Sequence, residues 1–447
     1  MRGAAYLEAD WRRETLRTNL WMVPAIEAVS VLLLFAATTA VDRAAYNGHV
    51  GLPSWVLSGT ADAARQVLTT MAAALITVVG VVFSITIVAL TLASTQFGPR
   101  MLRTFIRDRG TQVTLGTFVA SFFYTVLVLV SVGPGSHGDF VPHLSITVAL
   151  TLAVADLAVL IYFINHVATT IQLPQVIAGI ARDLARQIEM DARVSTPATD
   201  RDSGPSCDEL LGLIAESGAA IPTPQSGYLQ VIRHETLVKI ATEADAVIHL
   251  PYRPGHFLVR GHTLALVWPA GKADYVAESL ERGHVTGPYR TLTQDVSFGV
   301  DQLVEIAIRA LSPAVNDTFT ALTCIDWLSD CLCRITTSWY PQRIRRDRSG
   351  HIRLIAYQAD YDRLVQRAFE KIRQASDGMP AVMIRQLDAL SKIMEQTVRP
   401  ELRQVLLDQA AMIQRANVRS VPEIADRQDV QRRYDALLDL HDRLTPA

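Results

Sequence analysis

Lysine is nearly missing from this 447-residue chain: Lys239, Lys272, Lys371 and Lys392 are its only four against 42 basic residues in all. With a formal net charge of -2, the composition gives no bulk basicity of the kind that nucleic acid demands, and no nucleic-acid partner is expected. Cysteine is scarce too. Cys207, Cys324, Cys331 and Cys333 fall in the part read below as cytoplasmic, where thiols stay reduced, so a disulfide framework is excluded. The last three lack a fourth ligand at a zinc spacing and read as buried core thiols. His234, His249, His256, His262 and His284 cluster without an HxxxH or HxH spacing, so no metal site is expected. GxSxG, HExxH, Walker and GxGxxG motifs are absent, and the chain is read as a non-enzyme with no cofactor.

The most telling absence is of charge. Between Arg65 and Arg100 lie 34 uncharged residues. As a helix they reach roughly 50 Å, beyond the bilayer's hydrocarbon core of about 30 Å, so the segment must tilt, kink or project. Thr77, Gly80, Ser84, Thr91 and Ser94 recur on one stripe of that helix, a pattern that suits a helix-packing seam, with pore lining as the alternative. Three further apolar spans, at residues 21–41, 113–132 and 143–165, complete a predicted four-helix membrane bundle. The first follows Arg12, Arg13 and Arg17 and is read as an uncleaved span rather than a signal peptide because it is long enough to cross and others follow.

Arginines set the orientation. The N-terminal tail and the loop carrying Arg100, Arg103, Arg107, Asp108 and Arg109 are predicted cytoplasmic, which places both termini in the cytoplasm of a multi-pass inner-membrane protein. Within the spans the carboxylates Glu27, near the start of the first, and Asp156, near the middle of the fourth, stand out, because a charge at membrane depth must face protein, water or a partner; His166, further on toward the cytoplasmic side, is read as continuing a polar track or as an interface residue. Asp156 is read as either a structural carboxyl or a proton or cation site.

The domain reading assigns a tail at residues 1–20, the membrane domain at 21–169, an exit helix at 170–193, a linker at 194–224, a small β module at 225–270, a helical corner at 271–340 and a helical region at 341–447. The exit helix follows from Val176, Ile180, Leu184 and Ile188 at four-residue spacing. The β module follows from short β-prone runs separated by turns, with a brief helix near 236–242. Its Arg253-Pro254-Gly255 turn resembles the half-barrel of biotinyl and lipoyl carriers, but no lysine sits at a hairpin tip. In the corner, Val300, Leu303, Val304, Ala307 and Leu311 form one apolar face. Ser312, Asn316 and Asp317 suit a capped turn into the next helix. Arg290, Asp295, Asp301, Glu305 and Arg309 are read as a charged pocket or a solvated face. Residues 352–444 read as helical throughout and as a packing or oligomerisation tail.

Phe83-Ser84-Ile85, Gln96 to Arg100, Asp108-Arg109 with Gln112, Leu115-Gly116, Ser226-Gly227-Tyr228, and Ala310 to Asp317 with Thr320-Ala321 together resemble the bacterial "predicted membrane protein" family known as domain of unknown function twenty-two fifty-four. Gly98 and Thr318 stand where Ser and Pro are expected. The resemblance implies a four-helix membrane bundle with a cytoplasmic α+β region and carries no activity to transfer. From the residues, the leading expectation is a homo-oligomeric channel or transport-related protein acting on an ion or small solute. The alternative is a membrane-anchored sensor or scaffold that binds a ligand or partner without conductance.

Overall fold

The computed structural model describes residues 22–97, 108–135, 138–194, 204–338 and 342–444. The chain divides into two compact units at residues 175 and 176. The first contains four helices long and apolar enough to cross a membrane: α1 (Met22–Tyr46), α2 (Ala61–Phe97), α3 (Arg109–Ser131) and α4 (His143–Thr170). A two-stranded ribbon, β1 (Gly133–Gly135) and β2 (Gly138–Phe140), bridges α3 and α4.

α3 is the hub of this bundle, packing against α1, α2 and α4. Phe118, Tyr124 and Val128 are among its fully buried residues. Small residues let neighbours approach. A methyl group at Gly116 would stand 2.1 Å from the Glu27 carboxylate and 3.0 Å from the Pro24 backbone, and one at Gly110 would stand 2.4 Å from the His166 ring. Leu33 of α1, Ile87 of α2 and Val154 of α4 are all exposed, which suits helices that satisfy their own backbone and meet lipid over much of their outer surface. Far along the bundle, buried Asp42 of α1 accepts from the Leu144 and Ser145 amides at 2.8 and 2.9 Å and from Ser145 Oγ at 2.7 Å. It thereby caps the start of α4 from another helix. One level deeper, Tyr124 Oη and Thr38 Oγ1 share a hydrogen bond of 2.9 Å.

The second unit is mixed α/β. α5 (Leu173–Val194) leads into it after a break at Ile171 and Gln172. Residues expected to be linker instead form α6 (Cys207–Ser217) and β3 (Ala219–Pro222). Ser206 and Glu209 make a reciprocal capping box there, and Leu210 and Ile214 supply a buried face, so a short helix is affordable despite its polar surroundings. β4 (Gly227–Ile232), α7 (His234–Ala244), β5 (Val247–Leu250), β6 (Phe257–Leu258), β7 (Thr263–Trp268), α8 (Ala273–Leu280) and β8 (His284–Gly287) follow.

These strands do not close on themselves, and the carrier-like half-barrel is not formed. A five-stranded sheet runs β3-β7-β5-β10-β9, with β9 at Ile344–Arg346 and β10 at Ile352–Ala356, and a three-stranded sheet runs β6-β4-β8. β10 lies parallel to β5, pairing Leu354 with Ile248 and Ala356 with Leu250. Residues 352–356, expected to be helical, are thus a central strand. The reason is burial on both faces: Leu354 and Ile248 pack with α7 and α8, while Ile355 and Val247 pack with α6. A strand covered on both sides shows no alternation, and so short an apolar run has no period to read.

The rest of the unit is helical: α9 (Val296–Ala310), α10 (Thr318–Ser338), α11 (Tyr361–Ala375), α12 (Pro380–Gln396), α13 (Pro400–Ser420) and α14 (Ile424–Leu444). Leu303, Leu328, Phe369, Leu390 and Ile413 are all fully buried among them. The thiols of Cys324 and Cys331 are in this core, and burial pushes Cys331 up to about 12.

Candidate functional site

The polar residues singled out by the sequence fall in several separate places. On α2, Thr77, Gly80, Ser84 and Thr91 are exposed, and a methyl at Gly80 would meet nothing within 4 Å. Thr77 and Thr91 return their hydroxyls to the carbonyls of Ala73 and Ile87. Among the described residues, the face carrying Thr77, Gly80 and Ser84 is therefore turned outward rather than buried against α1, α3 or α4. The side chain of Ser94 and residues Arg100, Arg103 and Arg107 lie outside the described residues.

Inside the bundle, Asp156 is 2% exposed. Its Oδ1 accepts from Ser121 Oγ at 3.1 Å, and its Oδ2 is buried with no hydrogen-bond partner among the described residues. Both residues lie near the midpoints of their helices, at the level where a charge is most costly. Glu27 is half-buried against Gly116, with a buried Oε2. At the end of the bundle where α3 starts, Asp108 caps that helix by accepting from Thr111 N and Oγ1, both at 2.8 Å. His166 Nε2 joins the same carboxylate oxygen at 2.7 Å, and Tyr162 stacks on the imidazole at 5.4 Å. Arg109 beside it is exposed. A cavity of about 220 Å³ opens next to this pair, its walls formed by Phe83, Ile87, Leu90, Leu115, Val167 and Ile171.

In the α/β unit, Arg290, Asp295 and Asp301 do come together. Asp295, 1% exposed, caps α9 by accepting from Phe298 N at 3.2 Å. It also receives a two-pronged guanidinium, Arg290 Nε at 2.8 Å and Nη2 at 2.7 Å. Arg290 Nη1 reaches Asp301 at 2.6 Å, and Arg367 of α11 binds both Asp301 oxygens at 2.8 Å. The Arg290 guanidinium also lies over the Phe298 ring at 5.1 Å. Glu305, one turn beyond Asp301, is half-buried.

Sequence reasoning missed Arg253 and Arg367. Arg253 belongs to the turn before β6, and its Nη1 stands 3.5 Å from Asp295. Gly255 makes this approach feasible: it adopts φ +95°, and an added methyl would stand 2.0 Å from the Asp295 carboxylate. The Pro-Gly signal was visible, but only as a turn. Burial, with Arg367 and Arg290 nearby, pushes the Arg253 pKa below its ordinary value against the pull of Asp295. His256 is pushed down to about 4 by burial and by the guanidiniums of Arg253, Arg290 and Arg367, so its imidazole is neutral at pH 7.

Ser312, Asn316 and Asp317 make a different structure. Asp317 caps α10, accepting from Thr320 N at 3.1 Å and Thr320 Oγ1 at 2.6 Å, and Asn316 takes a left-handed φ of 50°. Ser312 Oγ donates to Arg309 O. These bonds account for all three residues as parts of a turn. Among the described residues no cluster of His, Cys, Asp or Glu is arranged to hold a metal ion.

Four apolar spans joined to an α/β region with a buried arginine-carboxylate cluster define a multi-pass membrane protein. The chain belongs to the DUF2254 family, described as "Predicted membrane protein", whose family model matches residues 17–392. It is 31% identical over 416 residues to the uncharacterised protein Rv1290c of Mycobacterium tuberculosis, covering 90% of this chain and 78% of that protein. The uncharacterised protein Mb1321c of Mycobacterium bovis is similar to the same extent. No solved structure matches.

Proposed function

We propose that the chain is a subunit of a homo-oligomeric channel or transport-related protein of the bacterial inner membrane, with both termini cytoplasmic and the α/β region regulating passage of an ion or small solute. The observation that carries this reading is the outward stripe of α2. Thr77, Gly80, Ser84 and Thr91 leave a hydroxyl-and-glycine surface on the least enclosed of the four spans. Lipid gains little from such a surface, whereas a second copy of α2 approaches closely over small residues or encloses water between the hydroxyls. Asp156 adds an ionisable group at mid-depth. No catalytic step belongs to this reading.

The test is ion flux in liposomes reconstituted with the purified protein. Flux is expected from the wild type and is lost in Ser84→Leu, and a tight membrane in both would refute conduction. A second reading, a membrane-anchored ligand sensor without conductance, is favoured by the cluster around Asp295, where three guanidiniums face two carboxylates.

A further inference from the structure

We propose that Arg253, Arg290 and Arg367, together with the imidazole of His256, form a binding site for a phosphate group carried by a small molecule or a lipid headgroup. The inference deepens the sensor reading by naming its ligand chemistry.

The argument starts from charge. Three guanidiniums share two carboxylates, and those carboxylates are already engaged. The Arg290 fork and the Phe298 amide occupy Asp295, and Asp301 accepts from Arg290 and Arg367. Arg253 is left with one 3.5 Å approach to Asp295 and a 3.3 Å bond to the Pro254 carbonyl. Its side chain is only 16% exposed, and its Nε is buried with no hydrogen-bond partner among the described residues. A buried guanidinium so poorly matched costs stability unless an acceptor completes it. A tetrahedral oxyanion does so well, because its oxygens match the planar donor fork of arginine.

The surroundings suit such a group. His256 lies within reach of the charge of all three arginines as a neutral ring able to donate one N–H, with Tyr357 5.7 Å and Tyr252 6.0 Å away. Arg367 and Tyr357 are 40% and 43% exposed, giving the cluster a solvent-facing edge by which a ligand enters. Gly255 holds the Arg253 turn against Asp295, so the donors are fixed before the ligand arrives and less ordering is left to binding.

The test uses the full chain in detergent, with thermal stability followed during titration at constant ionic strength. Three probes are compared with chloride: inorganic phosphate, glycerol phosphate and a short-chain phosphatidic acid. A saturable rise in Tm with at least one probe and none with chloride is expected. Arg253→Gln should weaken the response at least tenfold, and Arg419→Gln, in an exposed pair with Asp377, should leave it intact. If Arg253→Gln fails to fold, Arg253→Lys keeps the charge but loses Nε and is expected to bind more weakly than wild type. Tighter binding of phosphatidic acid identifies a headgroup source, and tighter binding of glycerol phosphate a soluble one. The proposal is overturned if no probe outperforms chloride, or if the Arg253 variants respond like wild type. Conductance is not read in this assay, so its failure and failure of the transport reading are separate results.

Discussion

Two glycines six residues apart allow the docking of the Arg253 turn on Asp295 to be measured. Gly255 and Gly261 both occupy the left-handed region, at φ +95° and +82°, so alanine strains either one by about 1–2 kcal/mol. At Gly261 the new methyl meets nothing within 4 Å. At Gly255 it would lie 2.0 Å from one Asp295 oxygen and 2.7 Å from the carboxyl carbon. Asp295 cannot retreat without loosening Arg290 and the Phe298 amide, and breaking a buried pair of this kind costs about 3–5 kcal/mol. Gly255→Ala should therefore lose about 3 kcal/mol or more beyond Gly261→Ala. For a unit of this size about 1 kcal/mol corresponds to about 2–4 °C, so the two Tm values should differ by about 6–12 °C. The assay is thermal unfolding of the full chain in detergent, with hydrogen exchange over residues 227–300 locating the loss. Equal effects of the two substitutions would refute the claim that the turn rests on a fixed carboxylate.

Asp156→Asn removes the charge but not the shape. With one hydroxyl partner and, among the described residues, no cationic side chain bonded to it, this variant should stay in the membrane fraction with a Tm no lower than wild type, whereas Asp156→Lys should be strongly destabilised; a collapse of the Asn variant would show that the carboxylate works ionised. Arg403, 9% exposed, donates to Thr397 O at 3.1 and 3.0 Å and to Leu444 O at 2.5 Å. Arg403→Met should cost about 2–4 kcal/mol and speed proteolysis of α14, which limited trypsin digestion would reveal. Because His256 titrates in the fold at about 4 rather than near its ordinary 6.5, the unfolded chain binds its proton first. The stability it contributes is complete above pH 6.5 and is lost as pH falls toward 4, and His256→Gln should flatten that limb of a Tm-against-pH curve. Asp191, raised to about 6 by burial, acts in the opposite sense, its contribution disappearing as pH rises through 6.

The four spans and the α9–α10 corner were legible because each is a long periodic segment with a charge gap or a capping residue at its end. Val300, Leu303, Val304 and Ala307 are buried, and Asp317 caps, as their spacing implied. The α2 stripe was legible as a stripe but not as an outward one, since periodicity fixes which residues share a face and not what that face meets. β10 was unreadable for a related reason: its partner β5 lies about a hundred positions earlier, and five residues carry no local mark of that pairing. Of the arginine cluster, Arg290, Asp295 and Asp301 were grouped because they are near in sequence. Arg253 and Arg367 arrive from a turn and a helix on either side, joined only by folding.

The cap that Asp42 places on the head of α4 bears on how the membrane unit is made. The two partners are separated by about a hundred residues, so α1 keeps its carboxylate without that cap until α4 emerges. Shortened chains ending after the third span would carry a naked acid at the close of α1. The cap is therefore a contact that α1 makes only once α4 stands beside it.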